Sequence, residues 1–240
     1  MKIKVGEEFK TMSYGSCIVI EYINAKNVVV RFEDGFETTC QAGDLRKGHV
    51  RNPYYPTVCG VGFFGEGGCT SRSHKRIYQV WVDMFCRCYD ETTKLNQPTY
   101  KDCTVHEDWY NFQNFVRDYE QMIGFDKDWQ LDKDLLFEGN TIYSKETCCL
   151  LPQEINKALI YKSKNGLLPG VTFGELRKTP FIARVHIDGK EVHLGCFDSE
   201  IQAFLVYKKA KEDHIKKLAE LHRPALDSVV YEALTTWEVV

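Results

Sequence analysis

GVTF (170–173), FIARVHI (181–187) and EVHLGCF (191–197), the last two joined through Asp188-Gly189-Lys190, read as three strands linked by hairpins. β-Branched and aromatic residues fill these runs, and Asp-Gly supplies the positive φ that a tight turn requires. A helix follows from Asp198 or Ser199. Its residues Ala203, Val206, Tyr207 and Ala210 recur at i, i+3, i+4 and i+7, a stripe suited to packing on a small sheet. Strand alternation places Phe181, Ala183, Val185 and Ile187 toward that helix and Ile182, Arg184 and His186 on the open side, with Glu191 and His193 sharing a face of the next strand.

Upstream, GSCIVIEY (15–22), NVVVRF (27–32) and FETTC (36–40) alternate with turns at Asn24–Asn27 and Glu33-Asp34-Gly35. They predict a small antiparallel barrel or meander of the Tudor-like kind, a fold that serves equally as a binding module or as an N-terminal brace. Residues 49–74 are dense in Gly, Pro and aromatics and predict an ordered connector. From Lys75 a helical stripe runs through Ile77, Val80, Trp81, Met84 and Phe85, and a second helix is expected from near Glu107 with Trp109, Phe112, Phe115 and Val116 buried. Residues 131–156 read as strand, polar loop, short strand and a helix from near Pro152. The tail 224–240 reads as a short packing helix plus a strand.

The expected class is therefore α+β. It is divided into a β-barrel (1–48), a connector (49–74), a central domain (75–160), a sheet-and-helix module (161–223) and a tail (224–240).

No apolar run approaches the about 20 residues of a membrane span, and the N-terminal MKIKVGEEFK lacks the apolar centre of a signal peptide. A cytoplasmic setting is the expectation, and in a reducing compartment most of the ten cysteines act as small hydrophobes. Paired Cys-x-x-Cys spacing is lacking, so a structural zinc would have to draw on Cys88, Cys103 and one of Cys148 or Cys149. The net charge of −3 is unevenly spread. Residues 89–156 carry 6 basic and 14 acidic side chains, whereas 157–223 carry 13 and 8. A basic segment beside an acidic one suits a polyanion-binding module next to a hard-cation site, and it also suits a solvated surface of mixed sign.

A sheet face bearing Arg184, His186 and His193, with Arg177 and Lys178 at the preceding turn, has the shape and charge to enter a DNA major groove. Lys208 and Lys209, with Lys216 and Lys217, are placed to meet phosphates. The run GV, FIARVHIDGK, EVHLGCFDSEIQAFLVYKKA resembles the plant Apetala-type (ethylene-response-factor) DNA-binding domain, including LG-x-F in the third strand and A-x-x-x-Y in the helix. That resemblance puts Arg184, His186 and His193 at base-facing positions and makes double-stranded DNA the expected partner. Glu191 and His193 depart from the family's Arg and Trp.

The pieces VWVDMFCRCYD, YKDCTVHEDWYNFQNF, LDKD, EGNTIYSKETC and LP-x-x-IN, in that order, resemble phage-borne proteins of the HNH endonuclease type that carry the same C-terminal module. The resemblance implies a ββα-metal site with a divalent cation, Mg²⁺ or Mn²⁺, in a host-cell cytoplasm. Asp132 would be the first metal ligand, Asn140 the loop asparagine and Asn156 the ligand from the helix. Lys133 stands where the family keeps its general-base histidine. A lysine near pKa about 10.4 is protonated at neutral pH, so either another group such as His106 acts as base or the site is a relic that binds DNA without cutting it. In the second case the protein is a DNA-binding regulator or a phage factor directed at a host protein.

Overall fold

The computed structural model describes residues 3–163, 165–175 and 178–240. The chain is an α+β protein that divides into two compact units, Met1–Tyr119 and Glu120–Val240. No helix among the described residues is long and apolar enough to cross a membrane.

The first unit begins with four strands, β1 (Glu8–Lys10), β2 (Ser16–Asn24), β3 (Asn27–Phe32) and β4 (Glu37–Cys40), paired antiparallel in sequential order. The expected barrel does not close: the sheet is an open meander with β1 and β4 at its edges. Edge strands of three and four residues are too short to tilt round and pair with each other. Instead, helix α1 (Ala42–Lys47) covers one face, and Val19, Val28, Val30, Phe32, Ala42 and Leu45 form its core.

The remainder of this unit is built on helix α2 (Lys75–Tyr89), followed by α3 (Glu91–Asn96) and α4 (Phe112–Tyr119). The helix expected from Glu107 is interrupted. Glu107–Tyr110 form a 3₁₀ turn, and Asn111 is extended. The cause lies in the connector. Phe63 N–H donates to Tyr110 O at 2.9 Å and Phe112 N–H to Phe63 O at 2.9 Å, so a strand-like bridge takes the place of a helical turn.

Gln113, in the first turn of α4, then clamps the connector. Its Nε2 donates to Phe64 O (2.8 Å) and Cys69 O (3.0 Å), and its Oε1 accepts from Cys69 N (3.0 Å). Gly65 lies so close that a Cβ there would stand 2.1 Å from Asn111 Oδ1. Gln113→Ala removes the partner of three backbone groups and is expected to cost about 1–3 kcal/mol in urea unfolding. A loss below the detection limit would show the connector to be held by its aromatics alone.

The second unit starts with a pair of antiparallel strands, β5 (Gln130–Asp132) and β6 (Cys149–Leu151), in which Asp132 faces Cys149 across the ladder. A long loop with a short extended segment at Ile142–Tyr143 joins them, and α5 (Gln153–Leu159) follows directly. The three-stranded sheet comprises β7 (Val171–Phe173), β8 (Phe181–Ile187) and β9 (Lys190–Phe197), with β8 central.

Helix α6 (Glu200–His222) is the spine of the unit, and Ser199 caps it by accepting from Gln202 N. Its first half packs Ala203 and Tyr207 against Val171, Ala183 and Val185 of the sheet. Its second half packs Ile215, Leu218 and Ala219 against Leu151 and Ile155 of the β5-β6-α5 half and against Val230 and Leu234 of α7 (Ser228–Thr236). The expected tail strand is absent. After α7 the chain is tied to α6 by side chains, with Lys208 Nζ donating to Val239 O (2.8 Å) and Val239 N to Glu212 Oε1 (3.1 Å), so no strand ladder is needed to satisfy it.

Candidate functional site

The open face of the three-stranded sheet carries the side chains that alternation assigned to it. Arg184 pairs with His193 across the β8-β9 ladder and His186 with Glu191, so all four share one face of the sheet, and Arg184, His186 and Glu191 also border a cleft that α6 helps to line. His186, Glu191 and His193 are exposed, and Arg184 is half-buried. Ile182, expected on the same open face, is buried, which confines the free face to its Arg184–His193 end.

The ladder contains a bulge. Ala183 faces Gly195 while Arg184 faces His193, leaving Leu194 as the extra residue. The bulge turns Leu194 and Phe197 into the core beneath the sheet while His193 stays outward.

Arg184 Nη1 lies 3.2 Å from Glu191 Oε1 across a diagonal of the face. Both side chains are 40–49% exposed, so the pair contributes about 0–1 kcal/mol and can open in favour of a stronger anion. His193 Nε2 lies 3.6 Å from Cys196 Sγ. Lys178 is exposed in the turn before β8, and Arg177 lies outside the described residues. The helix lysines are engaged. Lys208 pairs with Glu212 at 3.3 Å and Glu238 at 2.9 Å, and Lys209 with Asp213 at 2.9 Å.

Of the residues assigned to a metal site, four fall in the second unit. Asp132 closes β5, and its Oδ1 accepts from Asp134 N (3.0 Å) and Leu135 N (2.8 Å). Burial pushes its carboxyl above the usual range, against the lowering effect of those two N–H groups. Asn140 is saturated as a hairpin staple: Nδ2 donates to Lys133 O and Ile142 O, both at 2.8 Å, and Oδ1 accepts from Ile142 N at 3.1 Å. Asn156 Nδ2 donates to Gln130 Oε1 at 2.7 Å, which ties α5 to β5.

Lys133 is buried, 7% exposed, and its Nζ donates to the Asp134 carboxylate and to Asn140 O at 2.9 Å. Both contacts are donated by Nζ, so Lys133 serves as a clamp on the loop. His106 belongs to the first unit. It is half-exposed, and its Nδ1 accepts from Asp108 N at 3.4 Å at the start of the 3₁₀ turn.

Among the described residues no group of three or more His, Cys, Asp or Glu side chains stands close enough to share an ion. Asp132 and Asn156 are each already engaged within the β5-β6-α5 segment, Asp132 by two backbone N–H groups and Asn156 by Gln130. Of the cysteines named for zinc, Cys88 and Cys103 are buried in the first unit, and burial pushes the Cys148 thiol of the second unit up to about 12.

Sequence reasoning passed over two buried side chains of α6, Lys211 and His214, which are 4% and 7% exposed. His214 continues the Ala203, Tyr207 and Ala210 stripe by one further turn and Lys211 borders it, but the expected stripe stopped at Ala210. Comparison with protein-family models, with curated proteins and with solved structures finds no match to this chain.

Proposed function

We propose that this is a DNA-binding protein that contacts duplex DNA through the Arg184, His186 and His193 face of its second unit. The observation that carries this reading is a three-stranded sheet packed on α6 by one face only, with three basic-type side chains on the other. A sheet of this width fits a major groove, where Arg184 can exchange its weak pairing with Glu191 for a base edge or a phosphate. Lys178 at the rim adds a phosphate contact, and Arg177 is assigned the same role from the sequence. Lys208 and Lys209 contribute less, because each already has a carboxylate partner.

The test is electrophoretic retardation of a labelled duplex across a salt series. Retardation is expected to weaken steeply as salt rises. Arg184→Ala is expected to lower affinity about tenfold or more, the equivalent of about 1–3 kcal/mol. Absence of retardation at low salt would refute the reading and leave a protein-interaction role.

Binding without cleavage is favoured over nuclease activity by Lys133. Its commitment to Asp134 and Asn140 leaves the β5-β6-α5 segment without a base at the position where HNH enzymes carry histidine. A divalent cation held by Asp132 and Asn156 would supply charge neutralisation at a phosphate, and those two residues would orient it. Supercoiled plasmid incubated with Mg²⁺ or Mn²⁺ is therefore expected to remain intact. Nicking that is lost in both Asp132→Ala and Asn156→Ala would establish the enzyme instead.

A further inference from the structure

The seam along α6, where the helix passes from the sheet core to the β5-β6-α5 core, borders a half-open cleft of about 900 Å³. Its size is that of a small-molecule site. The cleft lies wholly within the second unit. Strand β7 covers β8 only from Phe181 to Ala183, with one more bond from Arg184 N to Gly170 O at 2.9 Å. Beyond that point no strand among the described residues pairs the outer edge of β8, and the cleft opens there.

Two polar side chains in its wall are more than nine-tenths buried. Lys211 Nζ donates to Ile160 O at 3.1 Å and has no carboxylate partner among the described residues. One turn on, His214 lines the same cleft, and its Nδ1 is buried with no hydrogen-bond partner. An ammonium taken out of water and given one carbonyl is costly, and an unbonded imidazole nitrogen beside it adds to that cost. Placing the two together at the wall of a roomy cleft is what an anion site looks like before its ligand arrives.

The surrounding charge agrees. Lys157, Lys162 and Arg184 line the cleft along with Lys211. Of the three carboxylates there, Glu154 is bonded to His222 and Glu191 to Arg184, and Asp188 on the hairpin rim exerts its charge on His214. The remaining wall is mainly apolar, with Tyr161, Val171 and Leu218.

We propose that this cleft binds a small organic anion, its carboxylate or phosphate held by Lys211 and His214 and its body seated on the apolar wall. The ligand is a free small molecule rather than the DNA backbone, because the two anchoring side chains are buried at the seam, whereas Arg184 and His186 stand where the cleft opens onto the sheet face.

The experiment uses the full chain without DNA, so its outcome is separable from that of the retardation assay. Inorganic phosphate, adenosine monophosphate and succinate are titrated while the His214 imidazole resonances are followed by NMR and the melting temperature by calorimetry. At least one of the three is expected to shift the His214 resonances saturably and to raise the melting temperature. Lys211→Met keeps the aliphatic stem and is expected to weaken that ligand about tenfold or more, whereas Lys145→Met, at an exposed position of the same unit outside the cleft, leaves it unchanged. Unshifted His214 resonances with all three probes would overturn the proposal, as would an undiminished response in Lys211→Met. The wild-type titration decides the matter even if the variant fails to fold.

Discussion

Trp81→Ala is expected to remove about 3–5 kcal/mol from the stability of the first unit. The side chain is fully buried, and its ring centroid lies 5.0 Å from Phe85, 5.2 Å from Phe112 and 6.1 Å from Tyr78. Its Nε1 donates to Trp109 O at 2.7 Å, which fixes the 3₁₀ turn before α4. Truncation therefore opens a cavity among rigid rings that cannot collapse into it, and it leaves a buried carbonyl without its donor. Against a typical total of about 5–15 kcal/mol, that loss leaves the unit close to unfolding at room temperature. Urea unfolding followed by near-ultraviolet circular dichroism measures it. Trp81→Phe separates the two causes, because it keeps most of the ring packing and gives up the bond. A Trp81→Ala variant within about 1 kcal/mol of the wild type would show that the aromatic cluster repacks.

Gly170→Ala is the second large effect, and it falls on the three-stranded sheet and α6. Gly170 has a φ of +72°, and a Cβ there would stand 2.0 Å from the Tyr207 ring. The backbone strain is about 1–3 kcal/mol and the steric overlap costs a similar amount, since Tyr207 of α6 is packed against Val171 and Ala183 of the sheet. The expected result is a second unit destabilised by about 2–5 kcal/mol, with the Arg184 N to Gly170 O bond lost and amide exchange accelerated in β7 and β8. A native melting temperature in this variant would mean that Tyr207 can swing aside without cost. DNA retardation by Gly170→Ala is then expected to fall in proportion to the folded fraction. Arg184→Ala is expected to lower binding with the fold intact.

These positions differ in how far they were legible beforehand. The strands at 181–187 and 190–197 and the helix after Ser199 could be read because each was announced locally, by alternation, by Asp188-Gly189 and by a capping hydroxyl. The open-face positions of Arg184, His186, Glu191 and His193 followed from the same period of two. The barrel at the N-terminus was over-read, because strand patterns give pairing partners for neighbours and say nothing of whether the two edges meet. The helix expected from Glu107 failed at Asn111, where a segment far upstream in the chain supplies a competing backbone partner through Phe63. Helical periodicity in Trp109, Phe112 and Phe115 could not reveal that competitor.

By itself, the sequence determined the α+β class, the strands and helix of the sheet module and the chemistry available on that sheet, since these depend on local periodicity and turn residues. Tertiary structure alone decided the rest. It placed a bulge at Leu194 that returns Phe197 to the core, buried Lys133 between Asp134 and Asn140, and ran α6 through two cores so that Lys211, bonded to Ile160 O alone, and His214, with Nδ1 unbonded, meet a cleft. Each of these outcomes is a matter of which distant groups compete for the same backbone edge or the same volume, and that competition is settled only when the chain closes on itself.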